Sequence, residues 1–331
     1  MRNLTDTLWG GDRLKQFKIL TSKEELQLSN ESLLQYYQEL RSYLLSKRNF
    51  EIRSKIGRLY GKLAPFLRKY EFNKSEICGI ENIPSNESAI FYFNHSNSHD
   101  FYTIEELFSK LGRKVSVLVG SDCLNKLQQF AFYAGNSVLI NRNNPISCIN
   151  GENELVRKVL TGTDVVIFGE GTWNLHPTKP MLPLRWGGVT VAKKSENRYV
   201  IPSIMEYIER DSIVSKESEI YEKCIICFGK PILINSDSNI KEAIEIIEKE
   251  MIEMRKKIWT DNGINKQSLN SINPDIYINH TMLKKNTPIF KLNADYESKF
   301  IRKEPNQPVE NEFYINENGN LIPKTKMLTK L

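Results

Sequence analysis

The stretch IFYFNHSNSHDFYTIEELFSKLGRKVSVLVG, residues 90–120, changes its hydrophobic period twice. IFYF is an aromatic, strand-like run. Beyond Asp100, Ile104, Leu107, Phe108 and Leu111 recur at helical spacing, and KVSVLVG returns to strand composition. Strand-like and helical patterns thus alternate within a short span. The alternation continues downstream. SVLIN, DVVIFGEG, YVIPSIMEYI and KCIICFGKPI read as strands, with helical patterns near residues 122–133, 151–161 and 187–195. The predicted fold class is α/β: a mixed, largely parallel sheet flanked by helices, preceded by an N-terminal helical hairpin. Residues 1–72 form the N-terminal segment and hairpin, 73–260 the α/β domain, and 261–331 an irregular C-terminal extension rich in Asn, Lys and Pro. A helix over 239–259, acidic early and basic late, closes the α/β domain.

Charge is concentrated at the front. Residues 1–72 carry 14 Lys+Arg against 8 Asp+Glu, which matches the formal +6 of the whole chain. The first hairpin helix follows candidate caps Ser29 and Asn30 and repeats Leu33, Leu34, Tyr37, Leu40 and Leu44. The second, over 49–70, sets Ile52, Ile56, Leu59, Leu63, Phe66 and Tyr70 on one stripe, with Arg53, Lys55, Arg58, Lys62, Arg68 and Lys69 mostly elsewhere. Such a helix packs its stripe on the main core, docks on an anionic bilayer, or does both with its two faces. Nucleic acid is not an expected partner, because no basic stripe continues into the central region. No window reaches the length of a spanning apolar helix and the start lacks a signal-peptide core, so a cytoplasmic chain is expected, peripheral on the inner face of the membrane. The five cysteines are odd in number and scattered, which predicts buried thiols rather than disulfides. The CIIC pair lies in a strand, where side chains three apart face opposite ways.

The join between strand and helix holds His95, His99 and Asp100. With Asn97 or Ser98 as N-cap, His95 lies in the turn and Asp100 in the first helical turn, so the imidazole can fold back onto the carboxylate. That leaves the outer ring nitrogen as a base, an arrangement suited to activating a hydroxyl. The bland reading makes Asp100 a cap and His95 a strand-end histidine. His95 and His99 share a helical face as metal ligands would, but no third ligand follows by spacing, and no metal is expected. There is no G-x-S-x-G elbow, dinucleotide fingerprint or P-loop.

GIENIPSNESAIFYFNHSNSHD (79–100) resembles the first block of the glycerolipid acyltransferase family, which includes the lysophosphatidic acid and glycerol-3-phosphate acyltransferases, with its N-H and H-x-x-x-x-D box. GNSVLINR (135–142), VIFGEGTW (166–173) and YVIPSIM (199–205) resemble the second, third and fourth blocks in order, and LPLRWGG (182–188) the segment between the last two. The resemblance implies transfer of a fatty acyl group from an acyl-CoA or acyl-carrier-protein thioester to a hydroxyl of a lysophospholipid or related acceptor, with no cofactor beyond that co-substrate. His95 is then the general base and Asp100 its orienting carboxylate. Arg142 faces the acceptor phosphate; Glu170, Gly171 and Thr172 shape the substrate site, with Glu170 fixing acceptor or loop geometry and a backbone amide of the Gly169–Gly171 turn meeting the oxyanion. Asn97 and Asn141 stand where the family commonly has Ser and Asp. The third block usually ends in Arg, and here it ends in Trp173, which lines an acyl channel or receives a less anionic acceptor; Arg185 or Lys179 is left to supply the missing cation. The rival readings are an acyl-thioester hydrolase using the same dyad and an inactive membrane-associated scaffold.

Overall fold

The computed structural model describes residues 20, 22–25, 27–44, 47–68, 74–95, 100–121, 124–174, 178–209, 221–266, 313–315 and 321–323. Helices α1 (Ser22–Glu25), α2 (Asn30–Leu44) and α3 (Lys47–Arg68) precede strands β1 (Lys74–Cys78) and β2 (Ile90–Phe93). The chain continues through α4 (Asp100–Lys110), β3 (Val115–Gly120), α5 (Lys126–Ala134), β4 (Val138–Ile140), α6 (Pro145–Leu160) and β5 (Asp164–Phe168). Then come α7 (Gly187–Lys194), β6 (Arg198–Glu209), β7 (Tyr221–Phe228), β8 (Ile232–Ile234) and α8 (Ile240–Asp261). Within the C-terminal extension, β9 (Phe313–Ile315) pairs antiparallel with β10 (Leu321–Pro323).

The main sheet has the order β1-β7-β6-β2-β5-β3-β4, with β8 also on β6. Its pairs are parallel except those of β6 with β7 and with β8, so the sheet is mixed and largely parallel, as predicted. β2 lies in the middle and all four of its residues are buried. Alternation divides it: Ile90 and Tyr92 join the layer of α6, α7 and α8, whereas Phe91 and Phe93 join the layer of α4. The crossover from β2 leads past β5 to β3 through α4, and that from β5 leads past β2 to β6 through α7. They depart in opposite directions and their helices cover opposite faces, as two crossovers of one hand must. A crevice therefore opens at the carboxyl ends of β2 and β5, where ligands bind in open α/β sheets.

The front helices pack differently from the expectation. Ser29 does cap α2, its hydroxyl accepting from Ser32 N at 3.2 Å, and α2 seats Leu33 and Tyr37 against Ile146 of α6. In α3, however, the face turned inward is Arg53, Ser54, Gly57, Gly61 and Ala64. A Cβ on Gly61 would stand 2.5 Å from the Glu105 carbonyl oxygen and 2.6 Å from Ser109 Cβ, so α3 lies directly on the backbone of α4. Of the predicted apolar stripe, Leu59, Leu63 and Phe66 are 52%, 45% and 73% exposed and Ile52 and Ile56 are half-buried, so the reading that packs the stripe on the core does not hold; Tyr70 lies outside the described residues. Small residues win the interface because they permit the closer approach. Arg53, which the sequence placed off the apolar stripe, is buried and donates to the carbonyls of Tyr133 and Ser137 at 2.9 and 2.7 Å and to Glu154 at 3.0 Å. Ser54 shares a small cavity with Arg113 and Lys114 while Gly61 meets Glu105, so α3 runs antiparallel to α4 and its last turn points toward Asp100. Among the described residues no helix is long and apolar enough to cross a membrane.

A second correction concerns the thiols. Cys78 of β1 lies opposite Cys227 of β7 in the parallel register, and the two form a disulfide. Cys224 is buried in the core as expected and Cys148 is half-buried, while Cys123 lies outside the described residues.

Candidate active site

The site begins with a side chain that prolongs the sheet. Asn94, just past β2, donates from Nδ2 to the Met205 carbonyl at 2.9 Å and accepts from Met205 N at 2.7 Å. This bridge fixes the backbone at His95. The His95 ring stacks on Phe168 at 4.2 Å, its planes 19° apart, and its Nδ1 lies 2.7 Å from Asp100 Oδ2. Asp100 opens α4 and is fully buried. Its other oxygen accepts from the Tyr207 hydroxyl at 2.6 Å. Burial, with the neighbouring Asp100 charge, holds that phenol well above its ordinary range, so Tyr207 stays a donor at every working pH.

Trp173 completes the arrangement. Its indole nitrogen donates to His95 Nε2 at 2.8 Å, edge-on to the imidazole at 87°. An indole N–H can only donate, so Nε2 presents its lone pair and the ring proton sits on Nδ1, facing the carboxylate. The two partners thus specify one neutral tautomer.

The β5–α7 loop supplies the rest. Gly171 sits at φ +69°, a left-handed turn that suits glycine. The amides of Gly169 and Gly171 donate to the Phe93 and Phe168 carbonyls, both at 2.9 Å, so neither is directed at an oxyanion as the sequence suggested. Glu170 is turned inward. Its oxygens accept from His95 N at 3.1 Å and Leu182 N at 2.7 Å, which ties the loop to the backbone at His95. Burial pushes its carboxyl up to about 7, against the pull of the Arg255 charge and the two amides. Behind it, Arg255 pairs with Glu206 at 2.6 Å and donates to the Pro180 carbonyl at 2.7 Å, while Trp259 Nε1 donates to Glu206 at 2.9 Å. Arg142 is exposed and donates from a guanidinium nitrogen to the Gly171 carbonyl. Arg185 also lies near Gly171, its Cγ and Nε 3.5 and 3.7 Å from where an added Cβ would stand. Thr172 is half-buried in the same loop.

The fold thus brings His95, Asp100, Arg142, Gly171, Trp173 and Arg185 to one end of the sheet, with Glu170 beneath. Such a set can present an imidazole lone pair beside two guanidinium side chains, which is chemistry for a hydroxyl carried near an anion. Asn94, Tyr207 and Arg255 were not anticipated; Tyr207 and Arg255 come from distant elements, and only Asn94's place beside His95 was a local signal. Asn97, Ser98, His99 and His176 lie outside the described residues.

Residues 74–206 match the family model described as Acyltransferase. A chloroplastic 1-acyl-sn-glycerol-3-phosphate acyltransferase of Brassica napus, BAT2, is 29% identical over 153 residues, 43% of this chain and 40% of that protein. The chain therefore spans less than half the length of that curated relative. Among solved structures, the 1-acyl-sn-glycerophosphate (LPA) acyltransferase PlsC from Thermotoga maritima is similar at 15% identity and a TM-score of 0.49, over 69% of this chain and 95% of that one. Residues 74–206, the span that carries the His95 and Asp100 contact, are thus similar to the Acyltransferase family.

Proposed function

We propose that the protein transfers a fatty acyl group from an acyl thioester to the hydroxyl of a lysophospholipid-type acceptor, with His95 as general base. The observation that carries this reading is the 2.7 Å contact of His95 Nδ1 with Asp100, which leaves Nε2 as the nitrogen with a lone pair. In the reaction Nε2 takes the acceptor's proton as its oxygen attacks the thioester carbonyl. Asp100, steadied by Tyr207, balances the imidazolium, and the proton then passes to the departing thiolate sulfur. Arg142 and Arg185, both near Gly171, favour an acceptor bearing phosphate. The outward stripe of Leu59, Leu63 and Phe66, with exposed Lys55, Arg58 and Lys62 on the same helix, fits docking on an anionic bilayer. Because α3 points its last turn toward the Asp100 end of α4, such docking holds the crevice near the lipid.

The test is acyl transfer by the full chain with long-chain acyl-CoA and acyl-carrier-protein donors and a panel of lysophospholipids. We expect transfer to a phosphate-bearing acceptor and its loss, by a factor on the order of 10² to 10⁴, in His95→Ala. Transfer to none of them, or full activity without the imidazole, overturns the reading.

A further inference from the structure

We infer that Trp173 is a specificity-determining residue that shields the catalytic nitrogen from water, so that acyl groups pass to the lipid acceptor rather than being hydrolysed. The inference rests on the reading of His95 as base. The indole N–H already occupies the Nε2 lone pair at 2.8 Å. An acceptor hydroxyl must approach that same nitrogen to within hydrogen-bond reach, about 2.6–3.2 Å, before its proton can move. Nε2 has one lone pair, directed in the ring plane, so indole and hydroxyl compete for it.

The competition is unequal. Water brings only its own hydrogen bond and gains nothing by replacing an equivalent one. A lysophospholipid is held at other points, its phosphate near Arg142 and Arg185 and its chain by apolar surface, and that remote binding drives the indole aside. The swing is a side-chain rotation rather than a loop movement, because the backbone is tied on both sides of Trp173. Gly171 N donates to the Phe168 carbonyl at 2.9 Å and Asn174 N to the His95 carbonyl at 2.5 Å. Once the indole leaves, the acceptor oxygen bonds to the thioester carbon, its proton goes to Nε2, the carbon–sulfur bond breaks, and the proton is returned to the thiolate. Hydrolysis is the same sequence with water, giving a free fatty acid, and it is this branch that the indole suppresses.

Two variants of the full chain test the inference, Trp173→Phe, which keeps an aromatic ring but deletes the N–H, and Trp173→Ala. The first readout needs no turnover: the rate at which diethyl pyrocarbonate modifies His95, followed by peptide mass spectrometry with an added histidine-containing peptide as reference. We expect it to rise about fivefold in Trp173→Phe, the factor for one neutral hydrogen bond, and at least as much in Trp173→Ala. The second is the ratio of acyl transfer to thioester hydrolysis with long-chain acyl-CoA and acyl-carrier-protein donors, expected to fall by a similar factor. Unchanged His95 reactivity in both variants overturns the proposal, as does faster modification with an unaltered ratio. Either result leaves the dyad intact if His95→Ala still abolishes transfer; retained transfer in His95→Ala removes the base itself while the reactivity measurement still reports on the indole contact.

Discussion

Tyr207→Phe removes one oxygen atom and nothing else from the support of Asp100. The lost bond is short, 2.6 Å, its acceptor is a carboxylate, and donor and acceptor are both buried. A hydrogen bond to a charged group in such surroundings contributes about 2 kcal/mol. In a domain of this size that lowers the melting temperature by about 4–8 °C. The larger consequence is geometric. Asp100 accepts from Tyr207 at Oδ1 and meets His95 at Oδ2, and losing the Oδ1 bond makes the orientation of the carboxylate, and with it that of the imidazole, less firm. We expect kcat for acyl transfer to fall about tenfold, equivalent to about 1.4 kcal/mol, with KM for the donor unchanged. Steady-state kinetics and thermal unfolding of the same preparation separate the two effects. A melting temperature lowered as expected with kcat within twofold of wild type refutes the positioning argument, because the phenol would then serve the fold alone.

Gly61→Ala puts a methyl group 2.5 Å from the Glu105 carbonyl oxygen, and α3 must lift off α4. The cost is about 1–3 kcal/mol, visible as a lower urea midpoint, and an unchanged midpoint refutes the close approach. Leu63→Asp combined with Phe66→Asp changes residues that are 45% and 73% exposed, so folding should be spared while pelleting with anionic liposomes weakens strongly; equal pelleting of variant and wild type removes α3 from the membrane surface. For Glu170, burial raises the folded-state value from 4.5 to about 7. A raised value means that the group's contribution to stability is fully present below about 4.5 and is lost as pH rises through about 7, a change of up to about 3 kcal/mol. Glu170→Gln cannot titrate, so the difference in unfolding free energy between wild type and variant should change across that window; a constant difference rules out the buried titration.

What the chain discloses in order, and what it withholds, follows the range of the interactions concerned. His95 and Asp100 are five positions apart across one strand-to-helix turn, so their meeting is a local event that spacing can predict. The Gly169–Gly171 turn is local too. By contrast, Tyr207 reaches Asp100 from β6, and Arg255 reaches Glu206 from α8, contacts that exist only once the sheet is assembled. The same holds for Cys78 and Cys227, which are 149 residues apart and meet because β1 pairs with β7. α3 misled for another reason. Periodicity identifies an amphipathic helix but not which face turns inward, and Gly57, Gly61 and Ala64 supply a closer fit than the leucines.

The pairing of β1 has a bearing on how the chain can be cut. The family match ends at residue 206, and every residue singled out in its motifs lies within it. Yet β1, at the start of that span, joins the sheet only through β7, which is made later, and Glu206 at its end is neutralised by Arg255, later still. During synthesis on the ribosome the chemical groups therefore emerge well before the strand that unites the first and last parts of the matched segment. A fragment trimmed to the homology boundaries would carry the whole signature yet leave β1 without its partner strand and Glu206 without Arg255.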